Sequence, residues 1–214
     1  MKILNLDIET IPLPREEREF CKPKFEDMKF GNIKDPDKKQ VKYEEALVSW
    51  DEKAALDAMT GQVAIFGFSE KDGVYQSDIS DDKTIITNAM DILKTETVIT
   101  GHNIYNFDLR FIIRRAFIHG IKVPAWLLQE MGRYSSDFIK DTMKLWALGD
   151  RQCYVSLDKL AVAFGLTVKD VTASNGEKVT GKDFWKFWEF DKDACIKYNK
   201  QDVDVLPELY RRMR

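Results

Sequence analysis

The sequence predicts an α/β domain built on a mixed β-sheet flanked by helices. Three observations carry this reading: an apolar N-terminal run that reads as a buried strand, two strand-like segments joined by a short turn, and a downstream alternation of helical and extended periodicity. The chain has 214 residues and is 44% hydrophobic, enough for one substantial core, so a single domain over 1–214 is expected.

Lys2 to Ile8 reads as the first strand, with Ile3, Leu4, Leu6 and Ile8 as apolar bulk and Pro12-Leu13-Pro14 just beyond it. Asp7 and Glu9 are thereby expected at the strand's end. From Arg15 to about Thr60 the chain is dense in mixed charge, with Pro23 and Pro36, and short helices are expected in what reads as a charged insertion at about 15–60. Gln62 to Phe68 predicts a second strand, Lys71-Asp72-Gly73 a turn, and Val74, Tyr75 and Ile79 a third strand that closes a hairpin. Ile85, Ile86, Ala89, Met90 and Leu93 repeat at helical spacing over 82–93. Thr97 to Thr100 predicts a fourth strand ending at Gly101, and 107–117 returns to helical periodicity.

Past Pro124, a short strand is predicted near Phe138 and a helix over 141–148. Ser156 suits the N-cap of a further helix that Gly165 stops. A long terminal helix is predicted from about Asp191 to Arg212, which Pro207 must bend or break. Phe184, Trp185, Phe187 and Trp188 sit at helical spacing, and core packing is the favoured reading over base stacking.

Cys21, Cys153 and Cys195 are odd in number and lack metal-ligand or redox spacing, which fits a reduced, cytoplasmic protein. No apolar run reaches the length of a signal peptide core or a membrane span. The net charge of −3 argues against coating duplex DNA through a broad basic face. It leaves room for a nucleic-acid enzyme whose acids hold divalent cations, because the metals then supply the local positive charge.

Three short patterns carry chemistry. Asp7-x-Glu9 projects two carboxylates to one side of an extended chain. Alone that is a charged pair on a strand face, but the apolar flanks make the strand central, where carboxylates need compensation. After the fourth strand comes Gly101-His102-Asn103-Ile104-Tyr105-Asn106-Phe107-Asp108, with Asp108 in the first turn of the next helix, where ordinary capping is the competing reading. On the last helix, Tyr198-x-x-x-Asp202 puts a phenol and a carboxylate on one face.

Together and in this order the patterns resemble the exonuclease superfamily named for four active-site acids (DEDD), in its tyrosine-containing branch. Asp7-Ile8-Glu9-Thr10 matches the first motif, Asn103-x-x-x-Phe107-Asp108 the second and Tyr198-x-x-x-Asp202 the third. The second motif is especially similar to the proofreading exonuclease domains of family B DNA polymerases. The sister branch carries a histidine five residues before the last aspartate, where this chain has Lys197; Asp204 has Lys200 four residues before it, so Asp202 keeps the motif position.

The resemblance implies a ribonuclease H-like fold and a 3′-5′ exonuclease that hydrolyses phosphodiester bonds of single-stranded DNA or DNA 3′ ends, releasing nucleoside 5′-monophosphates. It implies catalytic roles for Asp7, Glu9, Asp108, Tyr198 and Asp202. Asp7 would bridge two divalent ions, Glu9 and Asp202 would complete the ligands of the water-activating one, and Asp108 would serve the other. Tyr198 would orient the attacking water. Thr10, Asn103 and Phe107 would contact substrate, although plain core packing competes for Phe107. Oxygen-only ligands favour Mg²⁺ or Mn²⁺. His102 is read as a loop hydrogen-bonding residue, and Arg110, Arg114 and Arg115 as phosphate contacts or solvated charges. An exoribonuclease and a noncatalytic nucleic-acid-binding module of the same fold are the alternatives. A free-standing enzyme, or a subunit beside a polymerase or other replication or repair partner, is the expected setting.

Overall fold

The structure is a computed structural model that describes residues 2–70, 73–132, 136–167 and 170–214. Its centre is a five-stranded sheet of order β3-β2-β1-β4-β5. Strand β1 (Ile3–Pro12) is followed by helices α1 (Arg15–Arg18) and α2 (Pro36–Glu52), then by strands β2 (Gly61–Ser69) and β3 (Tyr75–Asp78). Helix α3 (Asp82–Ile92), strand β4 (Val98–Gly101), helices α4 (Asp108–Ile118) and α5 (Ala125–Met131), and strand β5 (Ile139–Asp141) come next. The chain closes with α6 (Thr142–Ala147), α7 (Leu157–Ala163), α8 (Phe184–Trp188) and α9 (Lys192–Met213). β1, β2 and β3 pair antiparallel, while β4 runs parallel to β1 and β5 parallel to β4. The predicted mixed α/β sheet is therefore the observed one.

The alternation of β1 decides the architecture. Leu4, Leu6 and Ile8 are buried on one face, in a core completed by Phe66 and Phe68 of β2, Ile85, Ile86 and Ala89 of α3, and Leu109, Ile112 and Ala116 of α4. Period-2 alternation sends Asn5, Asp7 and Glu9 to the other face. There α8 and α9 lie over the sheet, and Ala64, Ile65, Phe184, Phe187, Ala194, Cys195 and Tyr198 form a second core. The Asn5 amide is buried between strands, donating to Ser69 of β2 and accepting from the Thr100 hydroxyl of β4.

Several expectations change. β1 does not stop at Asp7 and Glu9 but continues to Pro12, because β2 keeps pairing with it as far as Gly61. Ladder register shifts between Glu9 and Thr10, where Val63 and Ile65 of β2 are the partners and Ala64 is the extra residue. The charged insertion contains the expected short helices, α1 and three single 3-10 turns, and in addition one helix of 17 residues, α2. Asp35 caps it by accepting the Asp37 N–H, and none of its residues is buried. The third strand is shorter than expected, with Val74 and Ile79 outside it and exposed; Lys71 and Asp72 of the expected turn lie outside the described residues. Helix α9 runs unbroken through Pro207, held by buried Val203, Leu206 and Leu209 on either side.

Phe184 and Phe187 are core as expected, whereas Trp185 and Trp188 are only half-buried. Ser156 caps α7 by accepting the Lys159 N–H. No helix among the described residues is long and apolar enough to cross a membrane.

Arg115 is neither solvated nor a phosphate contact. Its guanidinium is buried and donates twice to one carboxylate oxygen of Asp82, at 2.9 and 2.7 Å, and to the Ala58 carbonyl at 2.9 Å. The other Asp82 oxygen accepts the Val63 N–H at 2.7 Å. This pair locks α4 to α3 and to β2 beside the bulge. Arg115→Ala removes two of the bonds to buried Asp82 and leaves it the His119 ring, 2.5 Å away, as its remaining side-chain partner; the change is expected to cost about 3–5 kcal/mol of stability. Denaturant unfolding of wild type and variant measures it, and a loss under about 1 kcal/mol, the surface-pair range, would contradict the assignment.

Candidate active site

Asp7, Glu9 and Asp202 come together because α9 crosses the polar face of β1. Ligand oxygens from these three side chains all lie within 4.8 Å of one another. Asp202 is buried, while Asp7 and Glu9 are half-buried. At that spacing each pair repels by roughly 3 kcal/mol at an effective dielectric near 20. A converging set of hard oxygen donors with that repulsion fits a divalent cation such as Mg²⁺ or Mn²⁺.

Asp108 stands behind this group. It opens α4, is buried, and accepts the backbone N–H of Ile8, the residue between Asp7 and Glu9, at 3.0 Å. Burial pushes its pKa up to about 7, against the lowering effect of the Ile8 N–H, and the charges of Asp141 and Asp202 push the same way. The expected metal ligand is thus placed as a brace on the strand that carries two others.

Tyr198 lies one helical turn before Asp202, as the spacing requires, with its ring 6.1 Å from that of Phe184. A Cβ on Gly181 would come within 3.3 Å of the Tyr198 hydroxyl, so the missing side chain leaves the phenol room. Thr10 is buried at the register shift. Asn103 adopts φ 60° and accepts from the Asn106 amide at 3.2 Å. Phe107 packs at the edge of the main core, its ring 5.7 Å from that of Phe111. His102 is a loop hydrogen-bonding residue, with its ring nitrogens 2.9 Å from the Thr142 hydroxyl and 2.8 Å from the Val155 carbonyl.

Residues that the motifs do not name hold the site in place. Buried Asn199, next to Tyr198, donates from its amide to an Asp7 carboxylate oxygen at 2.7 Å and accepts from the Tyr75 hydroxyl at 2.9 Å. Burial, opposed by a Ser77 hydrogen bond and reinforced by Asp7, Glu9 and Asp204, raises the Tyr75 pKa to about 12, so it remains a donor. A Cβ on Gly67 would sit 1.7 Å from the Asn199 side-chain oxygen. Gly67 between Phe66 and Phe68 was the visible sign, since only a missing side chain admits the amide. Asp141 of β5 accepts the N–H groups of Asn103 (2.9 Å), Met143 (3.0 Å) and Tyr105 (3.2 Å), which fixes the loop leading to Asp108.

Two outcomes follow. Asn199→Ala frees Asp7 to rotate and should weaken Mn²⁺ binding about 10- to 100-fold, the range for groups that orient metal ligands, beside a loss of about 1–3 kcal/mol of stability in chelator from the Tyr75 hydroxyl left unpaired. Gly67→Ala should reproduce the loss by displacing the same amide; calorimetric Mn²⁺ titration reads both, and unchanged affinity in both would refute the role. For Asp108, a carboxyl whose pKa is higher folded than unfolded stabilises the fold fully below about pH 4 and loses that contribution as the pH rises to 7. Asp108→Asn should therefore match wild type near pH 4 in chelator and exceed it above pH 7 by at most about 4 kcal/mol. Parallel stability-versus-pH curves for the two proteins would contradict this.

Comparison with known proteins places this geometry. The sequence model described as DNA polymerase family B, exonuclease domain, matches residues 1–145. That stretch holds Asp7, Glu9 and Asp108 and stops before Tyr198 and Asp202. The fold is similar to that of the family B DNA polymerase from the hyperthermophilic archaeon Pyrobaculum calidifontis, with a TM-score of 0.62 at 15% identity. The similarity covers 100% of this chain and 24% of that one, so the chain spans about a quarter of the polymerase's length. No curated protein matches the sequence. Because the family match spans more than half of the chain, this protein belongs to the family of exonuclease domains of family B DNA polymerases, with its ribonuclease H-like fold, and that membership implies a 3′-5′ exonuclease.

Proposed function

We propose that this protein is a metal-dependent 3′-5′ exonuclease that removes nucleoside 5′-monophosphates from single-stranded DNA or DNA 3′ ends. The observation that carries this reading is the convergence of Asp7, Glu9 and Asp202 to within 4.8 Å, on a strand and a helix brought together from opposite ends of the chain. When bound, two divalent ions supply an activated water and stabilise the leaving 3′ oxygen.

The chain's own groups do the rest. Asp7, Glu9 and Asp202 would hold the ions on the polar face of β1, and Asn199 fixes the direction of Asp7. Asp108 ties α4 to Ile8 and sets the distance between the second-motif loop and the strand. It would also serve a second ion. The Tyr198 phenol would orient the water as a hydrogen-bond donor. Thr10, Asn103 and Phe107 line the approach of the terminal nucleotides, where an aromatic edge stacks without reading sequence.

Digestion of 5′-labelled single-stranded DNA and RNA in Mg²⁺ or Mn²⁺ tests the reading. Wild type should shorten the DNA stepwise from its 3′ end and stop in chelator. Preference for RNA would move the assignment to an exoribonuclease, and inactivity in either metal would remove the nuclease reading. Asp7→Ala should abolish digestion while folding normally in chelator. Mn²⁺ at a hundredfold excess over its dissociation constant should stabilise wild type by about 2.7 kcal/mol and Asp7→Ala by far less. Full turnover by a folded Asp7→Ala protein would sink the site.

A further inference from the structure

Beside the second-motif loop lies a cavity of about 930 Å³ lined by Tyr105, Arg110, Lys140, Lys144, Arg151 and Tyr154. We infer that this cavity is a groove for the backbone of a single nucleic-acid strand running from the metal site, with Arg110, Lys144 and Arg151 meeting phosphates and Tyr154 stacking on a base. The inference rests on the exonuclease reading and extends it to where the strand lies.

Charge is the first argument. The chain is acidic overall, at −3, yet this cavity gathers four cationic side chains around one carboxylate, Asp141. That carboxylate is buried and already accepts three backbone N–H groups. Among the described residues, no ion pair engages Arg110, Lys140, Lys144 or Arg151. Lys140 is anchored on the Ser136 carbonyl at 3.1 Å. Partial burial lowers the Lys144 pKa; Asp141 opposes this, and neighbouring Arg110 and Arg151 add to it. Cations pressed together in this way are relieved by an anion.

A second large cavity shows the contrast. It measures about 750 Å³, and its charged lining is Arg15, Arg18, Lys182 and Lys186 against Asp51, Glu52, Asp183 and Glu189. There Asp51 pairs with both arginines and Asp183 pairs with Lys186, so its positive charge is already matched.

Shape and position add to this. The Tyr105 ring holds the Lys144 ammonium 3.3 Å and the Arg110 guanidinium 5.4 Å from its centre, and its hydroxyl is pinned to the Met131 carbonyl at 2.7 Å. The cations are therefore arranged on a fixed aromatic plate before any ligand arrives. Tyr154, partly exposed, offers a second plate. Asp141 and Asn106 line the groove and also bond to Asn103 of the loop that delivers Asp108, so groove and site share one wall. A single phosphate would occupy a fraction of the roughly 930 Å³; several phosphates with bases free to stack on the tyrosines match its mixture of cations and aromatic rings.

The test is fluorescence anisotropy of a labelled oligothymidylate of about 12 nucleotides in chelator, so that binding is read without cleavage. Lys144→Ala/Arg151→Ala should weaken binding at least about tenfold and flatten the slope of log K against log salt by about 0.7 per removed cation. Tyr154→Ala should weaken binding roughly 5- to 100-fold and leave that slope unchanged. Both should retain the Mn²⁺-induced rise in melting temperature, which shows an intact fold and metal site. Wild-type affinity and slope in the variants would overturn the groove, as would loss of the Mn²⁺ rise in parallel with binding, or equal affinity of wild type for a blunt duplex. A wild-type protein that binds through these residues but cleaves no oligonucleotide in Mn²⁺ supports the groove and overturns the nuclease reading, so the two fail separately.

Discussion

The structure depends on one constraint: the strand that anchors the core also carries two of the carboxylates that must stand together against their mutual repulsion. β1 meets it by alternation. Leu4, Leu6 and Ile8 are driven into the larger core, and that burial holds Asp7 and Glu9 in register on the opposite face whatever their mutual repulsion. Each of the three apolar side chains contributes about 1.5–3 kcal/mol, comparable to the repulsion within one carboxylate pair. Helix α9 then supplies Asp202 and a neutral clamp, since the Asn199 amide reaches Asp7 only because Gly67 has no side chain.

Two further buried acids show how partners divide the labour of the same chemical group. Asp141 accepts three N–H groups from the loop and from the start of α6, which compensates its charge and makes it a structural staple. Asp108 accepts the Ile8 N–H, and burial outweighs that bond, raising its pKa to about 7. A cation brought close to such a carboxyl would favour its charged form.

How far the sequence revealed this depends on whether a feature is written in local pattern or in tertiary contact. The carboxylates were legible because strand and helix periodicity fixed which neighbours share a face; Asp7 with Glu9 and Tyr198 with Asp202 needed no structure. The end of β1 was not, because Pro12-Leu13-Pro14 reads as a stop while continued pairing with β2 depends on a partner some fifty positions away and on a shifted register at Thr10. Helix α2 was illegible for a different reason. None of its residues is buried, so no apolar stripe marked its period, and only the Asp35-Pro36 start carried a helix signal. Arg115 looked solvated because its partner Asp82 lies on another helix. Asn199 could be seen only from Gly67, and Gly67 acquires meaning only once α9 is laid across β2.

Net charge was the least informative sequence property, and the structure explains why. A value of −3 averages over regions of opposite demand. Asp7, Glu9 and Asp202 concentrate negative charge on one face of β1, and the cavity along Arg110, Lys144 and Arg151 concentrates positive charge in the same way. The loop from Asn103 to Asp108 separates the two, with Asp141 pinning its amides on the basic side and Asp108 facing Ile8 on the acidic side. A polyanion lying across that wall would meet ammonium and guanidinium groups along its length and cations held by carboxylates at its end. Opposite charges gathered locally cancel in the total, so the small net charge hides both the Asp7, Glu9 and Asp202 cluster and the basic cavity beside it.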